Sequence, residues 1–369
     1  MPLKKSFLLF FCLAVVGGCD TLGYYSQAVF GQLGVLKNRQ SVERLINDPL
    51  TDRELVRQLM TATDIVAFAQ THIGLPAGRR YQLYVDLEGQ FVVWNLFAAP
   101  ELSLEPLSFC HPFVGCTPYR GYFNEDKAQT VAAQLQAEGC ETYTGGVRAY
   151  STLGWFADPL MSSFINEPAA ELADLLIHEL AHSQVWVPGD VTFNESFASF
   201  VGKQGAHEWL EHTGLEAHDF DDPDWVRMRA LLIELRSALA EVFADASDLD
   251  EVRRQRKAQV LAEFRRCYTS QADRYGGERF ERLVDATNNA LLSSLATYND
   301  HIPAFEALWA ASGEDWQAFF SRVESLARLS DADRALELTR SGKQEVTDAA
   351  DDHHAEEVQC HALLRHGAG

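Results

Sequence analysis

Residues 175–182 have the sequence LLIHELAH, and this stretch decides how the middle of the chain folds. Its leucines recur at helical spacing, so the segment predicts a helix that buries one face. We expect Asn166 to cap this helix and Pro168 to lie in its first turn. Residues 187–190, VPGD, predict a break. Residues 194–200, NESFASF, then predict a second helix.

The two histidines of this stretch have the spacing of metal ligands. His178 and His182 are four residues apart, so on a helix both imidazoles lie on one face and can bind one ion. Glu179 lies beside them and can take a proton from a bound water. A catalytic zinc site needs a third protein ligand and one open position, and Glu195 on the second helix can supply that ligand. The alternative is a buried, hydrogen-bonded histidine pair with a surface glutamate.

The paired motifs, HELAH at 178–182 and NESFASF at 194–200, resemble those of the gluzincin metallopeptidases, and especially their aminopeptidases. The connection between His182 and Glu195 is twelve residues, which is shorter than in the familiar aminopeptidases. A wider resemblance, over most of the mature chain, is to a family of bacterial predicted aminopeptidases that are often exported or lipidated. The segments that carry this resemblance are residues 116–123, 146–159, 288–290 and 303–305, together with Tyr298.

The resemblance implies a gluzincin-type zinc peptidase with one Zn²⁺ per chain and a peptide substrate. The description of the family favours an aminopeptidase, and a zinc endopeptidase remains the alternative within the enzyme class. A non-catalytic peptide-binding lipoprotein on a peptidase fold is the alternative outside it. The presence of Glu179 favours the enzyme, because a structural metal site needs ligands but no general base.

Two further parts of the site are expected from the resemblance and from the chemistry of peptide hydrolysis. Gluzincins bind the substrate backbone along an edge strand of a sheet. In this chain the segment around the paired glycines is the candidate, and it could equally be a buried core strand. The candidate residues for substrate contact are Gly145, Gly146, Val147 and Tyr150. A tetrahedral intermediate also needs a hydrogen-bond donor, for which we choose Tyr298 over Tyr150 and His301.

The amino end predicts export and a lipid anchor. Two lysines precede an apolar run at 7–16 that is too short to span a bilayer, as in a signal peptide covering residues 1–18. Small residues directly before Cys19 resemble a lipobox, with an ordinary cleaved signal as the alternative. We therefore expect a bacterial cell-envelope protein, lipid-anchored through Cys19 and facing the periplasm. Asp20 resembles a signal for retention at the inner membrane.

Composition limits the partners. The formal net charge of −22 and the pI near 4.9 argue against nucleic acid, because phosphate binding needs a basic surface. The sequence does not indicate an oligomeric state. Cys110 and Cys116 are close enough along the chain to form a disulfide in an oxidising compartment. Without the cysteine of the signal peptide and the lipidated Cys19, five cysteines remain, and this odd number leaves at least one thiol unpaired.

The pattern of apolar residues predicts an α+β chain that is predominantly α-helical. Residues 19–165 should form a mixed half of helices and a β-sheet region, with a β-hairpin of 81–85 and 91–94. A helix should begin after Asn124. Residues 166–340 should form a helical half that carries the zinc site. Its predicted helices include 222–246, 249–269, 278–296 and 316–328. Residues 341–369 should form a polar, disordered tail.

Overall fold

The structure is a computed structural model that describes residues 24, 27, 31, 34 and 37–346, apart from 88, 112–114, 150–156, 217–219, 221 and 245–248. The predicted signal peptide, Cys19 and residues 347–369 lie outside these described residues. The fold is a mixed α+β fold that is mostly helical, with small sheets in the N-terminal half and a helical C-terminal half. In the described part of the chain, no helix is both long and apolar enough to cross a bilayer.

Strands and helices alternate in the first half of the chain, and after β8 the described elements are helical, in agreement with the predicted mixed half and helical half. The strands are β1 Gln40–Ser41, β2 Leu83–Val85, β3 Val93–Pro100, β4 Phe109–His111, β5 Gly115–Thr117, β6 Tyr119–Tyr122, β7 Cys140–Val147 and β8 Leu160–Met161. The helices are α1 Val42–Asn47, α2 Arg53–Phe68, α3 Glu125–Ala137, α4 Ala169–Ala181, α5 Val191–Thr213, α6 Pro223–Ala244, α7 Asp250–Ser270, α8 Glu281–Ala286, α9 Asn289–Asn299, α10 Ile302–Ala311, α11 Trp316–Ala327 and α12 Asp331–Val346.

The strands form three small sheets. In the first, β2 lies between β1, which is antiparallel to it, and β8, which is parallel. In the second, β3 pairs antiparallel with β6 on one side and with β7 on the other. The predicted hairpin of 81–85 and 91–94 is therefore wrong. Both sides of β3 are occupied by strands from later in the chain, so β2 pairs elsewhere.

Several predicted helix boundaries need correction. The Asn124 side chain accepts the amide of Lys127 at 2.9 Å, which confirms that it caps α3. Asn166 does not cap α4, because that helix begins at Ala169 after Pro168 and has no side-chain cap. The helix predicted over 278–296 is interrupted, because Asn288 is extended and caps the new helix α9.

The main core lies where α4 and α5 pack against α2 of the N-terminal half and against α10 and α11 of the C-terminal half. Five phenylalanines, three of them on α5, fill the space between α5 and its neighbours, with ring centroids between 5.2 and 6.2 Å apart where they touch. They are Phe193, Phe197, Phe200, Phe305 and Phe319. Burial of each such ring contributes about 2 to 3 kcal/mol. This core therefore fixes α5 firmly against its neighbours. A second core joins α6 to α7.

The short sheet of β4 and β5 is closed by a disulfide. Cys110 and Cys116 are bonded and lie opposite each other in the strand register, in agreement with the sequence analysis. Among the described residues, Cys140 is a free thiol. The last helix continues to Val346, five residues beyond the predicted start of the tail at residue 341.

Candidate metal centre

The site is built from α4, α5 and the short connection between them. Residues 182–190 turn the chain so that α5 runs back alongside α4. The connection is closed by Asn194, whose side chain donates to the carbonyl of Val187 and accepts its amide, both at 2.8 Å. Asn194 is fully buried, so these bonds are shielded from water. Asp190 caps α5 by accepting the amide of Phe193 at 3.1 Å. Side chains at the start of α5 therefore fix its first turn through hydrogen bonds to nearby backbone groups.

Glycines on α5 allow the two helices to approach closely. A Cβ atom placed on Gly202 would lie 2.4 Å from Asp174 Oδ1 and 2.8 Å from the carbonyl oxygen of Asp174. It would also lie 3.0 Å from the Cβ of His178. At Gly205, an added Cβ would lie 2.9 Å from Cγ2 of Ile177 on α4 and 2.6 Å from the side chain of Ile73. A side chain at Gly202 would thus push α5 away from the helix that carries the histidines.

His178, His182 and Glu195 converge, as the spacing of the motifs predicts. Their ligand atoms all lie within 4.8 Å of one another. The Nε2 atoms of His178 and His182 are 3.3 and 3.6 Å from Glu195 Oε2. Two ligands bound to zinc at about 2.0 to 2.1 Å with tetrahedral angles lie about 3.4 Å apart. Two imidazoles and a carboxylate in this arrangement could hold a metal ion, and the two distances to Glu195 are close to those between ligands of a zinc ion.

The histidines differ in protonation in the metal-free chain. Burial alone lowers the pKa of His178, but its hydrogen bond to Glu195 and the surrounding carboxylates outweigh burial and raise this pKa to about 9. Burial lowers the pKa of His182 to about 4, because the attraction of Glu195 is too weak to offset burial and the nearby His178 charge opposes protonation. His182 is therefore neutral, as a metal ligand must be.

The two glutamates differ in the same way. Burial raises the pKa of Glu195, but His182 and His178 outweigh it and hold this pKa below its usual range. Burial raises the pKa of Glu179 to about 7, where His178 opposes the rise and the negative charges of Glu195 and Asp158 add to it. Glu179 Oε2 is buried without a hydrogen-bond partner among the described residues. Glu195 is thus ionised, as a carboxylate that binds a metal must be, and Glu179 is a carboxyl group that can exchange a proton near neutral pH.

Two tyrosines that the sequence analysis did not assign lie near these carboxyl groups. Burial and the charges of Glu195 and Glu179 raise the pKa of Tyr119, which lies on β6 and packs against Phe97 at 5.2 Å. Burial, followed by Glu179 and Asp158, raises the pKa of Tyr81.

The sequence contains a signal for Tyr119 alone. It lies within 116–123, one of the segments that carry the family resemblance. Tyr81 is distinguished only by its backbone, because its φ of 63° lies in the left-handed region, which is uncommon for a residue other than glycine. Its amide donates to the carbonyl of Asp158 at 2.7 Å.

The predicted substrate strand is β7, which lies at one edge of the β6–β3–β7 sheet among the strands that the structure describes. All of its residues are half-buried. A Cβ on Gly146 would lie 2.5 Å from the ring of Phe91, so this glycine makes room for an aromatic ring of the same chain. Tyr150 lies outside the described residues.

Two of the three candidate donors, Tyr298 and His301, lie in or beside the helices α9 and α10. Tyr298 belongs to α9, and its side chain lies outside what the structure describes. His301 directly precedes α10, and its amide donates to Ser196 Oγ at 3.3 Å, next in sequence to Glu195. Of the three candidate donors, His301 therefore has a described contact with α5.

Comparison with known proteins gives one match. The sequence profile of a family described as putative aminopeptidase matches residues 23–338, which include the whole of the candidate site. No curated protein and no solved structure matches the chain.

Proposed function

This chain belongs to the putative aminopeptidase family, and from that membership we propose that it is a zinc-dependent peptide hydrolase of gluzincin type, acting as an aminopeptidase. The observation that carries the proposal is the convergence of His178, His182 and Glu195 within 4.8 Å, with a buried Glu179 next in sequence to the first ligand. Two nitrogen donors and one oxygen donor leave the fourth position of a tetrahedral zinc ion free for water, as catalytic sites require.

The chain's own residues divide the work of hydrolysis. Zinc bound here would lower the pKa of a coordinated water and polarise the peptide carbonyl. Glu179 takes the proton from the attacking water and delivers it to the leaving amine. Its pKa of about 7 in the metal-free chain suits both transfers near neutral pH. Tyr298 is our candidate for the donor to the tetrahedral intermediate.

The proposed substrate contact is with the backbone of β7. An edge strand has free backbone amides and carbonyls along one side, and an extended peptide can pair with them. Gly145, Gly146 and Val147 form the last part of this strand, and Tyr150 follows it. Phe91 occupies the space where a side chain of residue 146 would lie. This packing is compatible with substrate binding, because a peptide would pair with the backbone of β7 and not with a side chain at this position.

We also propose that Cys19 is lipidated and that the mature chain is held at the bacterial cell envelope, facing the periplasm. The lipobox resemblance supports this proposal. Labelled palmitate should enter the wild type and should be absent from Cys19→Ser, which should accumulate as a precursor. Normal processing of both proteins without lipid label would favour an ordinary signal peptide.

A screen of the purified mature protein tests the proposed reaction. Amino-acid arylamides report removal of an amino-terminal residue, whereas internally quenched peptides report cleavage within a chain. We expect arylamide hydrolysis that a chelator abolishes and added zinc restores. Cleavage of quenched peptides alone would make the enzyme an endopeptidase. Peptide binding without cleavage of either substrate would make it a binding protein.

A further inference from the structure

The last helix, α12, contacts the start of α5, the helix that carries Glu195. Arg334 on α12 is only 1 % exposed, and its Nε lies 2.8 Å from Asp190 Oδ2. Its Nη2 lies 2.7 Å from the same oxygen. The other oxygen of Asp190 accepts the amide of Phe193. One carboxylate therefore both caps α5 and binds the buried guanidinium.

Arg334 is itself held in one position. It donates to the carbonyl of Leu329 at 3.0 Å and to Asp331 Oδ1 at 2.7 Å. Its guanidinium carbon lies 5.5 Å from the centre of the Phe193 ring, two residues before Glu195. A guanidinium fixed by several partners offers its donors in a rigid arrangement. The position of Asp190 is therefore set by α12 as well as by its own helix.

Stability alone explains this arrangement poorly. The cost of removing two charges from water largely offsets their attraction, and a well-packed apolar pair is often as stable as a buried ion pair. What the ion pair provides is orientation. A charge-assisted bond of fixed geometry at the N-cap, five residues before the proposed ligand Glu195, determines where the turn that carries Glu195 lies.

We propose that Arg334 is a positioning residue for the metal site, holding the Glu195 turn in register with His178 and His182 through Asp190. The inference rests on the proposed zinc site. The described hydrogen bonds and ion pairs of Arg334 go to Asp190, Leu329 and Asp331 rather than to the proposed ligands. Its loss should therefore weaken metal binding while leaving the ligand set intact.

The test compares Arg334→Met with Lys257→Met. Lys257 is also buried and binds a carboxylate, Glu141, at 2.5 Å, but it joins α7 to β7 and not to α5. Zinc affinity is measured by chelator competition on the folded proteins, with circular dichroism as the control for folding. We expect the Kd for zinc to rise about 10- to 100-fold in Arg334→Met, the usual effect of losing a group that orients a ligand. The Kd should be unchanged in Lys257→Met.

Two milder variants keep the inference testable even where Arg334→Met does not fold. Asp190→Asn preserves an N-cap but removes the charge, so its zinc Kd should also rise. Arg334→Lys keeps the charge without the fork of donors, and it should restore part of the affinity. Wild-type zinc affinity in Asp190→Asn and Arg334→Lys would overturn the inference. A wild-type protein that binds no zinc would instead remove the proposed function.

Discussion

Replacing Gly202 with alanine should push apart α4 and α5, the helices that carry the proposed metal ligands. The added methyl group would lie 2.4 Å from Asp174 Oδ1, 2.8 Å from the carbonyl oxygen of Asp174 and 3.0 Å from the Cβ of His178. The Asp174 carboxylate can turn away, but the carbonyl oxygen and the Cβ can move only with α4. The helices must therefore separate where the first ligand is attached.

The size of the effect follows from two opposing contributions. Glycine to alanine in an unobstructed helix interior stabilises a protein by up to about 1 kcal/mol. Overpacking a close-packed contact costs about 1 to 3 kcal/mol. Because backbone must move, we expect a cost near the upper end of that range and a net loss of about 2 kcal/mol in the free energy of unfolding. Displacement of His178 should also raise the zinc Kd.

Urea denaturation of the metal-free protein measures the first effect, and chelator competition measures the second. Gly34→Ala is the matched control, because Gly34 is helical and no described atom lies within 4 Å of its added Cβ. That variant should be slightly more stable than the wild type, with unchanged zinc affinity. The reasoning is refuted where Gly202→Ala matches the control in both measurements.

Three further results are expected. Asn194→Ala should lower the free energy of unfolding by about 2 to 4 kcal/mol in urea, because both backbone groups of Val187 lose a buried partner; an effect below about 1 kcal/mol would contradict this. In metal-free protein, the pairing of charged His178 with Glu195 stabilises the fold below about pH 6.5 and is lost as pH rises through about 9. Denaturation curves between pH 7 and 9 should show a fall in stability that zinc-loaded protein lacks. Tyr298→Phe should lower kcat roughly 10²-fold with little change in KM, and steady-state kinetics equal to those of the wild type would exclude it as the donor.

The local features of the site could be predicted from the sequence. The grouping of His178, His182 and Glu195 follows from helical periodicity and one short connection, both of which are encoded by neighbouring residues. The Cys110–Cys116 bond depends equally on proximity along the chain. These predictions needed only rules that act between residues close together along the chain.

The features that the sequence did not reveal depend on distant partners. The strands at 83–85 and 93–100 look like a hairpin, but each pairs with strands that only the folded chain brings near. Arg334 lies 144 residues from Asp190, and no local pattern links them. Tyr119 likewise lies near Glu195 and Glu179 only because the folded chain brings β6 close to them. Asn166 was misassigned because Pro168 lets α4 begin without a side-chain cap.

Zinc content and hydrolysis measured together in wild type and Glu179→Gln test the central claim most directly. Glutamine keeps the shape of Glu179 but cannot accept the proton of the attacking water. We predict about one zinc per chain in both proteins. We also predict a loss of roughly 10²- to 10⁴-fold in kcat for arylamide hydrolysis by the variant. A variant that retains zinc and hydrolyses the substrate as fast as the wild type would contradict the account.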